Sequence, residues 1–411
     1  MIESIYIDKM SEDQFGNMRE EWNALLEKSV TNEIFLLWEW MYSWWDVFKN
    51  EGRELYLLRG KNSMGETIGI APFYLQKKPL FGNIKRNIIR FCSSVETYPD
   101  HLDIIATNEY EELFSKAVEN YLIQHDKDWD LIKLDGVHEN AIIKKYLTFA
   151  HPKMKELFID CVTNAHCPYL VIDRSFEDYL KSFSPKKRQT LLRKRRILMD
   201  REKAILKTVD CGEEAEKYFR ELFTLHDIRA KQKKIKTTFC GEDLYKFHNK
   251  AIRYLLKSGK VILAFLYKEA SPLASYYCIK HNNKYYYYQA GLSDEGEKKS
   301  AGTVLFSLMI ENAFKERFKE FDFLRGSEEY KFYWTKNYRK DYSITVRKDD
   351  VFNKMVHYSY TVYRRTLNQF RNIYQPGRTN RNGEGGAECI ENVRSCTGNL
   401  IPAGNVTPAS G

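Results

Sequence analysis

The sequence predicts an α/β, or α+β, fold built as two related modules in tandem, and three observations carry that expectation. Helical and strand-like segments alternate along the chain instead of segregating into blocks. The order of elements in the first third recurs between about residues 168 and 347, although no close internal repeat of residues accompanies it. With 411 residues there is room for two domains, each with a core of its own. Hydrophobic residues at 43% and charged residues at 29% are ordinary globular usage, which excludes collagen-like, mucin-like and wholly disordered chains.

In SEDQFGNMREEWNALLEKS, residues Phe15, Met18, Trp22, Leu25 and Leu26 share one helical face. Trp38, Met41, Tyr42 and Trp45 fall at i, i+3, i+4 and i+7, the spacing of a buried stripe rather than of a sugar-stacking platform. ELYLLRG and ETIGIAPFYLQKK flank the turn-like KNSMG and predict a hairpin. HLDIIA (101–106) reads as a strand, EYEELFSKAVENYLIQ as an amphipathic helix, WDLIKLDG (129–136) as a strand, and 140–149 as a short helix. The second module opens with the strand-like YLVIDRS and the short helix SFEDYLKSF, which stops before Ser184-Pro185. A strongly basic helix, KKRQTLLRKRRILMDREK, precedes two amphipathic ones, EEAEKYFRELFTLHDIRAKQ and DLYKFHNKAIRYLLKSG, the latter ended by Gly259. Three strands follow, KVILAFLYKE, LASYYCIKHNN and KYYYYQAGLS, then the helix TVLFSLMIENAFKERF and the strand EFDFLRG. A last helix, about 350–371, closes the fold. Tyr374 is the last aromatic residue, and seven of the 21 glycines come after it. The expected organisation is therefore a module at 1–167, a module at 168–374 and a disordered tail at 375–411.

No run approaches the roughly 20 apolar residues of a spanning helix. The start MIESIYIDKMSEDQ lacks a secretory signal, so a cytoplasmic protein is expected. Eight cysteines, scattered without a Cys-x-x-Cys pair, indicate free core thiols and no zinc site. The net charge of +9 is concentrated between Lys181 and Lys203, where ten basic residues face only Asp200 and Glu202. Such a cluster can dock tRNA or sugar-nucleotide phosphates, or simply be a solvated helix face.

Two segments carry chemistry. YYYYQAGLSDEGEKKSAGTVLFSLMIENAF sets a strand, a loop rich in Gly, Ser and Lys, and a helix in that order, so Lys298, Lys299, Ser300, Ala301, Gly302 and Thr303 suit an anionic phosphate. The competing reading is a solvated loop with Thr303 as helix cap. Neither the Walker spacing nor Gly-x-Gly-x-x-Gly is present, so nucleoside-triphosphate and Rossmann chemistry are not expected. FDFLRGSEEYKFYWTKNYRK crowds Asp322, Arg325, Glu328, Glu329, Tyr330 and Lys331 just past a strand end. There Asp322 or Glu328 can deprotonate an amine and Tyr330 can protonate a leaving thiolate. Equally, Asp322 and Arg325 can form a salt bridge, with Tyr330, Phe332 and Trp334 in the core.

K-K-S-A-G-T-V (298–304) followed one helix later by F-D-F-L-R-G-S-E-E-Y-K (321–331) resembles the C-terminal module of the GNAT-type acyltransferases of the CelD-like or BioF2-like acetyltransferase domain family, associated with cellulose and exopolysaccharide biosynthesis. F-L-L-W-E-W-M-Y-S-W-W (35–45) and G-E-T-I-G-I-A-P-F-Y (65–74) are similar to the family's N-terminal module, so the resemblance spans about 22–338. It implies tandem GNAT-like modules, each a mixed, mainly antiparallel sheet flanked by helices, related to the Fem-type aminoacyltransferases that build peptidoglycan bridges. It also implies that Ser300, Ala301, Gly302, Thr303 and Val304, with Lys298 and Lys299 nearby, cradle the pyrophosphate of acetyl-CoA as co-substrate. Only Ala301 and Gly302 supply the small residues of the superfamily loop, a departure shared by Fem-type enzymes, which use aminoacyl-tRNA. The implied enzyme needs no metal and transfers an acyl group to an amine or hydroxyl of a sugar-nucleotide or glycan precursor. Asp322 or Glu328 serves as base, backbone N–H groups near Gly291 hold the oxyanion, and Tyr330 or Lys331 assists the thiolate. His226 resembles a position family members place near the cleft, with a lone core histidine as the competing reading. A tRNA-dependent transferase and an inactive scaffold in a polysaccharide assembly are the alternatives.

Overall fold

The computed structural model describes residues 5–50, 52–81, 84–148, 157–210, 214–233, 237 and 239–348. The helix expected at 350–371, the tail from 375, and Cys211, Cys389 and Cys396 lie outside them. In order come β1 (Tyr6–Lys9), α1 (Glu12–Asn17), α2 (Arg19–Glu27), α3 (Trp38–Phe48), β2 (Arg53–Leu55), β3 (Leu58–Lys61), β4 (Thr67–Ala71), β5 (Phe73–Phe81), β6 (Ile84–Phe91), β7 (Ile105–Ala106), α4 (Glu111–Gln124), β8 (Leu131–His138) and α5 (Ile142–Tyr146). The second half holds β9 (Leu157–Val171), α6 (Phe176–Lys181), α7 (Pro185–Arg195) with a wider π-helical turn Arg196–Arg201, β10 (Ile205–Val209), α8 (Ala215–Lys233), α9 (Glu242–Lys257), β11 (Val261–Lys268), β12 (Ser271–His281) and β13 (Lys284–Leu292). It ends with α10 (Asp294–Lys298), α11 (Ala301–Lys315), β14 (Glu320–Asp322), α12 (Glu329–Phe332) and β15 (Tyr338–Lys348).

The strands form a four-stranded sheet, β1-β3-β4-β7, and an eleven-stranded mixed sheet, β10-β11-β12-β13-β14-β9-β15-β8-β6-β5-β2. Two pairs in the large sheet are parallel, β6 with β8 across α4 and β13 with β14 across α11. Each follows a hairpin, β5–β6 in one half and β12–β13 in the other, so the repeated element order is real at the level of topology. The halves are joined by β9 and β15, which pair antiparallel from Tyr338↔Pro168 to Lys348↔Leu157. At the seam β15 also pairs with β8 of the first half, and β9 with β14 of the second. The boundary drawn at 167/168 therefore falls within β9.

Alternation along β11 sends Val261, Leu263 and Phe265 into one core under α8 and α9, and Ile262, Ala264 and Leu266 into another under α7 and α11. The aromatic stripe of α3 is core as expected: Trp38, Met41 and Trp45 are buried, and Tyr42 stacks on Trp38 with centroids 4.4 Å apart. Helix α1 starts with a capping box between Ser11 and Gln14, and the single helix expected there breaks at Met18 while its apolar face stays buried. ETIGIAPFYLQKK divides into β4 and β5 at Pro72, which has no N–H for a ladder. Among the described cysteines, Cys92, Cys167 and Cys278 are buried free thiols, whereas Cys161 and Cys240 are exposed.

Candidate functional site

β13 and β14 pair only from Lys284↔Glu320 to Tyr286↔Asp322. Beyond that point β14 ends while β13 runs on to Leu292, so the two strands part. The register of β12 against β13 also slips there, from Tyr277↔Gln289 to Cys278↔Tyr287, leaving Tyr288 as an extra residue in a bulge. Two cavities open at this point, and Tyr287 and Tyr330 line both.

The larger, about 530 Å³, lies on the α7 and α11 side and is bounded by Gly291, Gly296, Ser300, Gly302, Thr303 and Phe306. Ser300, in left-handed backbone (φ 58°), caps the fifteen-residue α11 without a side-chain bond, so the first N–H groups of the helix face the loop unpaired by their cap. Gly296 packs so tightly that a Cβ would sit 1.9 Å from the Leu273 carbonyl oxygen. The Tyr276 hydroxyl donates to the Gly302 carbonyl at 2.7 Å and fixes the floor. Lys194 of α7 and Arg229 of α8 bring positive charge to the wall. A helix N-terminus, small residues and two cations suit the phosphates of a nucleotide-bearing donor.

Of the residues expected to bind a donor, Gly291, Ser300, Gly302 and Thr303 line this cavity. Ala301 and Val304 instead face the core beneath α11. Lys299 is held by Glu202 and lies 3.8 Å from Glu295, and Lys298 is exposed on α10 away from the lining. Gly291 pairs with Ser275 inside the ladder, so the irregular backbone expected near it lies at Tyr288. Lys194 and Arg229 supply the cations in place of the two lysines. Lys194 belongs to the basic run visible in the sequence, but only the packing of Leu191 and Leu198 into the core decides which cations of that run turn inward.

A smaller cavity, about 220 Å³, lies on the other side of the parted strands. Phe35, Glu96, Thr97, Tyr98 and Asp100 come to it from the first half, and Phe239, Tyr288, Arg325, Glu328 and Tyr330 from the second. The Glu328 carboxylate is half exposed and 3.2 Å from the Lys331 ammonium. Tyr330 is 44% exposed, yet its phenol is crowded by protein. Desolvation and then the charge of Glu328 push its ionisation well up, and a hydrogen bond joins it to Tyr287. Tyr330 therefore keeps its proton where the two cavities meet.

Lys331 also lines the smaller cavity, where it is buried and donates to the carbonyls of Leu324 and Arg325, which ties down the loop. The remaining expected residues take structural positions. His226 donates from Nδ1 to the Ala290 carbonyl (2.8 Å) and is bonded through Nε2 to Thr237 (2.9 Å), outside the lining of either cavity. Burial lowers its pKa below the usual 6.5, which makes it a neutral clamp between α8 and β13. Asp322 is fully buried, 3.2 Å from His101 Nε2 and 3.6 Å from Arg339. Burial opposes its charge, but His101 and Arg339 prevail and hold it as a carboxylate well below the usual range. Such a group is a poor base, and it too lies outside both linings.

His101, missed in the sequence, is the centre of this network. Its Nδ1 lies 2.8 Å from Asp341, and its pKa stands well above 6.5 because Asp341 and Asp322 outweigh the burial of its charge. Cys167 completes a trio with His101 and Asp341 whose ligand-type atoms lie within 4.8 Å of one another. There His101 and Asp341 are already bonded to each other, and burial keeps the thiol of Cys167 protonated, so the trio is read as an ion-pair network.

The acetyltransferase (GNAT) domain family matches residues 185–332. No curated protein matches the chain. Among solved structures, FemX superposes with a TM-score of 0.53 at 13% identity, covering 82% of this chain and 96% of that one. A C-terminal domain assigned to a lysylphosphatidylglycerol synthetase from Agrobacterium fabrum gives 0.50 at 10% identity, over 84% and 94%. At such identities the two superpositions speak for the fold alone. Among the described residues, no helix is long and apolar enough to cross a membrane.

Proposed function

We propose that this acyltransferase, whose residues 185–332 match the GNAT acetyltransferase domain family, moves an acyl group, most simply acetyl, from coenzyme A to an amine or hydroxyl of a sugar-nucleotide or cell-envelope glycan precursor. The observation that carries this reading is the pair of cavities meeting where β13 and β14 part. The donor's phosphates lie against Ser300, Gly302 and Thr303, with Lys194 and Arg229 over them, and the thioester reaches Tyr287 and Tyr330. The acceptor enters the smaller cavity, where Glu328 takes its proton as the nucleophile attacks the thioester carbon. Collapse of the tetrahedral intermediate breaks the carbon–sulfur bond, and Tyr330 protonates the departing thiolate. Backbone groups freed by the bulge at Tyr288 are the oxyanion donors in this scheme.

Calorimetric titration of acetyl-CoA tests the donor. Micromolar binding is expected, and Gly302→Trp, which fills the floor, is expected to abolish it. No binding by the wild-type chain would discard an acyl-CoA donor.

One observation favours a second donor, aminoacyl-tRNA. Arg193 and Arg196 are exposed on the α7 segment whose Lys194 lines the donor cavity, whereas Arg195 is occupied by Glu311 at 2.5 Å. If tRNA is the donor, binding falls steeply with salt, and Arg193→Gln with Arg196→Gln reduces that slope by about 2. An unchanged slope in the double variant removes this face from consideration.

A further inference from the structure

Left-handed backbone occurs on both sides of the place where the two halves meet. Tyr98 (φ 45°) and His101 (φ 61°) of the first half lie opposite Leu324 (φ 55°) and Gly326 (φ 124°) of the second. For non-glycine residues such conformations cost on the order of 1–3 kcal/mol each, and persist only where the surroundings over-determine them. Here the surroundings are buried charges. Asp100, 2% exposed, accepts from the Arg325 backbone N–H at 2.8 Å and from its Nε at 2.6 Å, while the Pro99 carbonyl accepts from Nη2 at 3.2 Å. The His101 backbone N–H donates to Asp341 at 2.8 Å, and its ring lies between Asp341 and Asp322. Asp322 in turn accepts from the Leu324 N–H at 2.7 Å. The segment is pressed against β8: at Gly136 (φ 74°) a Cβ would sit 2.4 Å from the Pro99 carbonyl oxygen.

We propose that Asp100 and His101 are positioning residues for the second half's reactive loop, so that the first half sets the geometry of a site whose donor pocket it does not line. The proposal rests on the reading above, in which Glu328 and Tyr330 carry the transfer. Past Asp322 the segment 323–331 leaves the β14 ladder and runs alongside β9 with only scattered main-chain bonds. Its backbone is tied back to the second half by the Phe323 N–H to Pro168, the Gly326 N–H to His166, and Lys331. Asp100 holds its midpoint through both the main chain and the side chain of Arg325, three residues before Glu328 and five before Tyr330. If Asp100 cannot accept both bonds, a half-buried guanidinium and a main-chain N–H are left to share one oxygen, and the segment loses its tie to the first half at Arg325. A shift of about 1 Å in the reacting groups is enough to cost roughly 10²-fold in rate.

Hydrogen-exchange mass spectrometry on the full chain tests this independently of turnover. In Asp100→Asn, peptides covering 323–331 are expected to exchange about tenfold faster, while those of α11 are unchanged and acetyl-CoA affinity stays within about twofold. In a transfer assay the same variant loses kcat by about 10²-fold at an unaltered KM for the donor. His101→Asn is expected to behave likewise. Arg325→Lys, which keeps the charge but loses the fork, gives the same readout if Asp100→Asn does not fold. Unchanged exchange in a folded variant, or acceleration spread equally over α11, overturns the proposal. A wild-type chain that transfers nothing discards the functional reading, while the exchange pattern still decides the positioning.

Discussion

In the proposed reaction Glu328 takes a proton and Tyr330 gives one, and their surroundings differ in a way that suits those parts. Tyr330 lines both cavities and is held protonated by desolvation and by the charge of Glu328. Tyr330→Phe is expected to lower kcat by about 10²-fold with acetyl-CoA affinity within about twofold, measured by thiol release and calorimetry. Wild-type turnover in this variant removes Tyr330 from the mechanism. That these two residues come together at a cavity was legible because they sit in one short string after a strand. The role of Asp322 was not, since its partners His101 and Arg339 are brought to it by folding from distant parts of the chain. The buried histidines make a second prediction. Burial lowers the pKa of His138, His248 and His281 to about 3, so each stabilises the fold fully above its ordinary 6.5 and loses that contribution as pH falls toward 3. His101 is opposite in sign: its raised pKa stabilises below 6.5, and that contribution drains away as pH climbs through the folded value. Stability should therefore fall on acidification below pH 6.5. His248→Phe, which keeps an aromatic among Trp40, Phe219 and Phe247, should shift the acid-unfolding midpoint downward. An unmoved midpoint would show that His248 takes up no extra proton on unfolding.

Among the elements, α4 lies on β3 and β4 through Phe114, whose ring fills the space above two glycines. A Cβ at Gly60 would come within 2.5 Å of that ring, and one at Gly69 within 2.4 Å. Gly69→Ala is accordingly expected to cost about 1–3 kcal/mol in urea unfolding, and Phe114→Leu in the same chain to recover part of it. A loss below about 0.5 kcal/mol would mean that α4 can lift away freely. The helices were readable because their apolar faces repeat: α3, α9 and α11 bury the residues their spacing indicates. β15 was not, because the positions that point inward include Arg339, Asp341 and Ser343, whose burial is made tolerable by Glu320, His101 and Asp135. A strand that buries charge presents no apolar alternation. Similarly, HLDIIA gives only the two-residue strand Ile105–Ala106 and an isolated bridge from Leu102 to Val137, since His101 and Asp103 are spent on buried bonds across the fold.

For the molecule as a whole, the repeated order of elements foretold two related halves, but not that they share a sheet. The parallel β6–β8 and β13–β14 units are separate, and the strands that weld them, β9 and β15, serve both. A chain ending at residue 156 therefore leaves the edge of β8 uncovered, and it is expected to be insoluble or to lack a cooperative thermal transition. A sharp transition in that fragment would show that the first half folds without the seam. The pairing of β15 with β8 also bears on how the protein is made. About 200 residues separate the end of β8 at His138 from the start of β15 at Tyr338. At the roughly 5–20 residues per second of translation, the ribosome needs some tens of seconds to deliver the strand that completes the first half's sheet. Throughout that interval β8 emerges as an unsatisfied hydrogen-bonding edge. The nascent chain thus carries that open edge until its last described strand is synthesised, and the closing of the seam is what completes the first half's sheet.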